Sequence, residues 1–133
     1  RLVACGGNAV SAGERSRLQI RRTAIVQSET GLLAKNNSDI DCNAVILYKT
    51  QTGVRIEKKE IRYEGASHVK GRDLYILETG RVFSGPPKRL AFEESELQLD
   101  LRDIAHVLPI FPGIRNLEEL HERLDALSAK GLP

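Results

Sequence analysis

The chain has 133 residues, 41% of them apolar and 29% charged, with 20 Lys/Arg against 18 Asp/Glu. That length fits one domain with one core, and the composition is too apolar for disorder. No run approaches the ~18 apolar residues of a membrane-crossing helix, and aromatics at 5% without a long Lys/Arg block argue against a nucleic-acid binder.

Charge is unevenly spread. Residues 1–92 carry 16 Lys/Arg against 9 Asp/Glu, and residues 93–133 carry 4 against 9. A basic first part suits phosphate groups or an anionic surface, although two halves that neutralise one another explain the same balance. Methionine is absent, the initiator included, which points to a processed form or an excised piece.

In chain order, residues 1–14 are rich in glycine and small side chains and read as a flexible lead-in or tether, with residues 15–133 as a single domain. Leu18, Ile20, Arg22, Ala24 and Val26 alternate with polar neighbours, the period-2 mark of a half-buried strand. Glu29-Thr30-Gly31 predicts a turn, and Asn36 to Asp41 a polar loop. Ala44-Val-Ile-Leu-Tyr48 reads as a central strand covered on both faces, and Thr52-Gly53 as a turn into the strand Val54-Arg-Ile56. Ile61-Arg-Tyr63 follows, then a loop between Gly65 and Gly71 that carries His68 and Lys70. Strands are expected at Leu74–Leu77, Arg81–Phe83, Leu90–Phe92 and from Leu97, where Leu97, Leu99 and Leu101 alternate with polar residues. Gly85-Pro-Pro is a loop, since two prolines cannot donate to a ladder.

The spacing predicts a helix from Asn116 to Ala129. Asn116 is placed to cap it, Glu119 completes a capping-box spacing, and Leu117, Leu120, Leu124 and Leu127 share one face. No internal repeat stands out. The fold class expected is α+β: a strongly bent, mostly antiparallel sheet of six or seven strands, or a partly open barrel, closed by a C-terminal capping helix.

Catalytic signatures are missing. His68, His106 and His121 have no metal-ligand spacing to one another or to Cys5 and Cys42. The cysteines are either two free thiols or, in an exported protein, one disulfide. Asn37, Asp39, Asp41 and Asn43 imitate a calcium loop, but Cys42 stands where that loop needs glycine. No metal or cofactor is therefore expected. One basic set remains: Lys58, Lys59, Arg62, Lys70 and Arg72, clustered as Arg forks and compact Lys charges would be around an anionic head group. Glu57, Glu60 and Glu64 are interleaved with it, and ion pairing across strands is the competing explanation.

The segment Lys70-Gly-Arg-Asp-Leu-Tyr-Ile-Leu-Glu-Thr-Gly-Arg-Val-Phe, with Leu97-Gln-Leu-Asp-Leu-Arg-Asp-Ile-Ala-His-Val, resembles the pleckstrin-homology-like superfamily, in its GRAM-type and bacterial branches. The likeness spans about residues 44–129. It implies a bent seven-strand sheet sealed by the terminal helix, and binding of lipid head groups or proteins. Separately, Leu2-Val-Ala-Cys5-Gly is similar to a bacterial lipobox, which implies acylation of Cys5.

The function expected is a non-enzymatic binding or scaffold domain at a membrane surface or in a protein assembly. Its partner would be a protein or an anionic lipid head group, and its place cytoplasmic and peripheral to a membrane. The alternatives are a lipid-anchored bacterial envelope protein and a small enzyme whose residues converge only in the fold.

Overall fold

The computed structural model describes residues 2–4, 7–13, 15–57, 67–85, 90–91, 97–99, 104–105 and 107–129. Among the described residues ten strands precede one helix: β1 (Leu2–Ala4), β2 (Asn8–Ala12), β3 (Arg17–Val26), β4 (Thr30–Lys35), β5 (Asp39–Tyr48), β6 (Thr52–Glu57), β7 (His68–Leu77), β8 (Arg81–Ser84), β9 (Leu90–Ala91), β10 (Leu97–Gln98) and α1 (Leu117–Ala129). The residues read as a lead-in thus include β1 and β2.

From β1 to β9 the strands alternate between two sheets, and β10 stays on the sheet of β9. One runs β1-β3-β5-β7-β10, with β9 also on β7, and the other runs β2-β4-β6-β8. Every pairing among the described strands is parallel. The antiparallel, strongly bent sheet and the partly open barrel expected from the sequence are therefore incorrect, as is the bent sheet implied by the resemblance. The chain winds as a β-solenoid, in which each coil lays one strand on each sheet and rests on its neighbours. Parallel strands need a crossover of about a dozen residues, and here residues 27–38 supply it between β3 and β5, with β4 in their middle.

A repeat underlies the winding. Ser16 and Ser38 are 22 residues apart and Ser38 and Ser67 are 29 apart. The third coil is longer, its extra residues lying between Glu57 and Ser67. The segments Ser16–Ser28, Ser38–Thr50 and Ser67–Thr79 occupy the same place on successive coils. The serines form a ladder: Ser16 N donates to Ser38 Oγ at 3.2 Å, Ser38 N to Ser67 Oγ at 2.9 Å, and Ser38 Oγ to Lys35 O at 2.7 Å. At the opposite corner the hydroxyls of Thr50 and Thr79 lie 3.0 Å apart.

The corners turn on left-handed residues. Gln27, Lys49 and Glu78 have φ of 53°, 55° and 46°, and the N–H groups of Gln27 and Lys49 reach forward to Tyr48 O and Leu77 O. A residue in this conformation redirects the strand out of its plane, so the next strand joins the facing sheet and no hairpin forms. Thr30-Gly31 and Thr52-Gly53, read as turns, instead open β4 and β6. A Cβ on Gly53 would lie 2.8 Å from Val82 O, so a side chain there has no room under the next coil.

A second left-handed row, Arg22, Ala44 and Asp73 (φ 50°, 58° and 53°), lies inside β3, β5 and β7. Each adds one residue that skips the ladder and shifts the alternation of faces. Before the bulge in β5, Ile40 and Cys42 point between the sheets; after it, Val45 and Leu47 do. They meet Leu32, Ala34, Val54 and Ile56 of the other sheet in the inner core. The outer face beyond the bulge, with Ala24, Val26, Ile46, Tyr48, Tyr75 and Leu77, is covered by Val107, Phe111, Ile114, Leu120 and Leu124. That double cover explains the continuous apolar run at Ala44–Tyr48. At ~25 cal/mol per Å², a fully buried Leu or Ile contributes about 1.5–3 kcal/mol.

The helix matches its expectation at both ends. Asn116 Oδ1 accepts from Glu119 N at 2.9 Å, and Leu120 and Leu124 are fully buried. Leu117 and Leu127 pack beside them, partly covered. Glu119 does not return to Asn116 as in a capping box; its Oε2 accepts from Arg115 N at 2.8 Å, one residue earlier.

The long strand expected from Leu97 is only Leu97–Gln98 among the described residues, and Leu99 is 58% exposed. The loop expected between Gly65 and Gly71 gives way to β7 at His68.

Candidate functional site

Before the bulges, no described helix covers the outer face of the first sheet. Leu18, Ile20, Ile40, Cys42 and Val69 point inward, so the residues between them point out, in three rows fixed by the register. Arg17, Asp39 and His68 form the first row, Gln19, Asp41 and Lys70 the second, and Arg21, Asn43 and Arg72 the third. Neighbours in a row are one strand spacing apart, about 4.8 Å. Asp39, Asp41 and His68 are half-buried and the other six are exposed.

The rows differ in electrostatics. In the first, Asp39 takes His68 Nδ1 at 3.2 Å on one oxygen and Arg17 Nε at 4.0 Å on the other. In the second, Asp41 stands between Gln19 and Lys70. The third has no carboxylate of its own: two guanidinium groups flank a carboxamide, two strand spacings or about 10 Å apart. Guanidinium groups only donate, and each can grip an anionic oxygen pair in a fork. Asp73 follows Arg72 and Asp41 lies one row away, so the field of this cationic row is partly offset.

Of the basic residues singled out from the sequence, Lys70 and Arg72 sit together here on one face of β7. Lys58, Lys59 and Arg62 lie outside the described residues, as do Cys5 and His106. His121 is on the exposed side of α1, its ring 6.3 Å from that of Tyr48. Arg21 and Asn43 were missed, because nothing local marks them as neighbours of Arg72. The signal that finds them is the serine that opens each repeat: counting from Ser16, Ser38 and Ser67 puts Arg21, Asn43 and Arg72 at the same step.

Cys42 is a free, buried thiol beneath this face, and burial, helped by the charge on Asp41, pushes it up to about 12. It is therefore a packing residue in the resting protein. Among the described residues no group of three or more His, Cys, Asp or Glu is arranged to hold a metal ion. A cleft of about 470 Å³ beside α1 includes Arg115 and Glu119, but those two are engaged with each other at 2.6 Å at the start of the helix.

No described helix is long and apolar enough to cross a membrane. Comparison with family models, with curated proteins and with solved structures returns no match for this chain.

Proposed function

We propose that the chain is a non-catalytic binding domain whose bare sheet face takes anionic groups at a membrane surface, with Arg21, Asn43, Lys70 and Arg72 as the contact. The observation that supports this reading is the third row, Arg21–Asn43–Arg72, in which two cations flank an amide with no carboxylate between them. Among the described residues nothing covers this face, and it is held by ladders on a packed core, so its side chains start from a fixed backbone spacing and little backbone order is lost on binding. An array of this shape suits a surface of repeated charges better than one enclosed small molecule.

The test is sedimentation with phosphatidylserine-containing vesicles. Binding is expected at low ionic strength and should fade as salt passes ~0.15 M, where the Debye length is about 8 Å. Arg21→Glu with Arg72→Glu should abolish it while leaving the fold intact, since exposed substitutions rarely cost more than ~0.5 kcal/mol. Vesicles ignored by the unaltered protein even at low salt would end the lipid reading and turn attention to an acidic protein surface.

A further inference from the structure

The outer face of the first sheet changes character at the bulges. The three polar rows end there, and two apolar rows continue on the same strands: Ala24–Ile46–Tyr75 and Val26–Tyr48–Leu77. All six side chains are buried, packed with Val107, Ile110, Phe111, Ile114, Leu120 and Leu124 of the cap that residues 107–129 form.

Coils and cap are held by different means. Apart from the bulge residue Ala44, each residue of β5 is registered on both β3 and β7, so backbone ladders hold the coils. The described backbone bonds of the cap outside α1 are local: Val107 N donates to Ile104 O, Ile110 and Phe111 N donate to Val107 O, and Leu120 N donates to Asn116 O. Its polar tie to the coils converges on Oδ1 of Asp125, which accepts from Tyr48 Oη at 2.6 Å and Lys49 Nζ at 3.3 Å. The Lys49 and Asp125 side chains are 43% and 55% exposed, and an ion pair so placed holds little. Tyr48 has a second carboxylate at hand on the coils, that of Glu78 at the next corner, so its hydroxyl keeps an acceptor if the cap leaves.

Charge reinforces the arrangement. The cap bears Glu118, Glu119, Glu122 and Asp125 against Arg115 and Arg123, with His121 neutral. The polar rows bear Arg17, Arg21, Lys70 and Arg72 against Asp39 and Asp41, with His68 neutral, and the bulge residues Arg22 and Asp73 offset one another. A net negative cap thus shares the sheet with a net positive set of rows, and an anionic surface that attracts the rows repels the cap.

We propose that the cap is an inhibitory lid on the anion-binding face: at an anionic bilayer it lifts, and the two apolar rows enter the lipid beside the cations. The inference rests on the anion-binding reading and says how that site is regulated. Opening bares apolar surface, which is costly in water, whereas acyl chains accept the same surface and so favour the open state. A sheet face suits that contact, because its N–H and C=O groups are already paired sideways in the ladders.

Amide hydrogen exchange of the 133-residue chain, first without lipid, reads the lid directly. The α1 amides should exchange together and ahead of those in β3, β5 and β7. Tyr48→Phe removes the latch hydroxyl and keeps the ring. It should speed α1 exchange about tenfold, the loss of one hydrogen bond to a charged group, and leave the strand amides unchanged. Asp125→Asn, at an exposed position, replaces it if the first variant fails to fold. On phosphatidylserine-containing vesicles at low salt α1 should lose protection, since a lone 13-residue helix is marginal in water. At about 0.5 M salt, which screens the cations, the latch variant should stay on vesicles that the parent has left, because the bared rows hold without charge. If α1 exchanges in step with the strands, or is as protected on vesicles as off them, the lid is overturned and the anion-binding reading stands. Vesicles ignored at low salt by the parent and by the latch variant overturn that reading and the lid with it.

Discussion

The hydroxyl of Tyr48, the last residue of β5, donates to Oδ1 of Asp125 on α1 at 2.6 Å. Lys49, the next residue along the chain, reaches the same oxygen at 3.3 Å. The corner of one coil thus grips the helix that covers the outer face, and the contact binds two segments 77 residues apart. Burial, and then the bond to Asp125, hold the Tyr48 phenol protonated far above its usual range.

That grip makes the helix acid-sensitive. The hydrogen bond from Tyr48, followed by Lys49, keeps the Asp125 carboxyl below the usual carboxylate range, and Arg115 does the same for Glu119. A carboxylate whose folded pKa is depressed contributes stability above its unfolded value, about 3.9 for Asp and 4.3 for Glu, and loses it as pH falls through the lower folded value. Melting temperature should therefore change little between about pH 7 and about pH 5 on this account and fall below about pH 4. Asp125→Asn should shallow that acid limb; identical limbs in the two proteins would show that Asp125 does not clamp the helix.

The leucine stripe carries the helix. Leu120→Ala or Leu124→Ala removes a fully buried side chain and should cost ~2–5 kcal/mol in a denaturant melt, through lost burial and the cavity left behind. A nearly neutral change at either position would mean that the helix is not part of the core.

Ser38 is the middle of the serine ladder and is fully buried. Ser38→Ala strands the Lys35 carbonyl and the Ser16 N–H, which that hydroxyl serves, and should cost ~1–3 kcal/mol. Ser38→Thr keeps the hydroxyl and adds one methyl group. If Ala proved as stable as Ser, the ladder would be a consequence of the coil and not a support for it.

Cys42 gives a probe of opening. With Cys5 changed to Ser, the native chain should react with Ellman's reagent only as fast as it unfolds, because the Cys42 thiol is covered and its pKa stands at about 12. Prompt reaction in the absence of denaturant would contradict the packed inner core around Ile40, Val45 and Leu74.

Local signals located several elements. The cap at Asn116 and the leucine spacing give α1 at the right place, because a helix start and an apolar stripe are written within a few residues. The strands at Leu18–Val26, Ala44–Tyr48, Val54–Ile56 and Leu74–Leu77 are equally visible as alternation or apolar runs. What tertiary structure decided is how they pair. Alternation has period 2 in parallel and antiparallel sheets alike, so the pattern that located the strands could not give their direction. The repeat escaped notice for a related reason. Only inward and corner positions are held to a type, as in Leu18, Ile40 and Val69, while outward positions vary freely and the third coil is longer. The third-row contact followed from that missing register: Arg72 was recognisable as a basic residue, but its nearness to Asn43 and Arg21 arises only when coils stack one strand spacing apart.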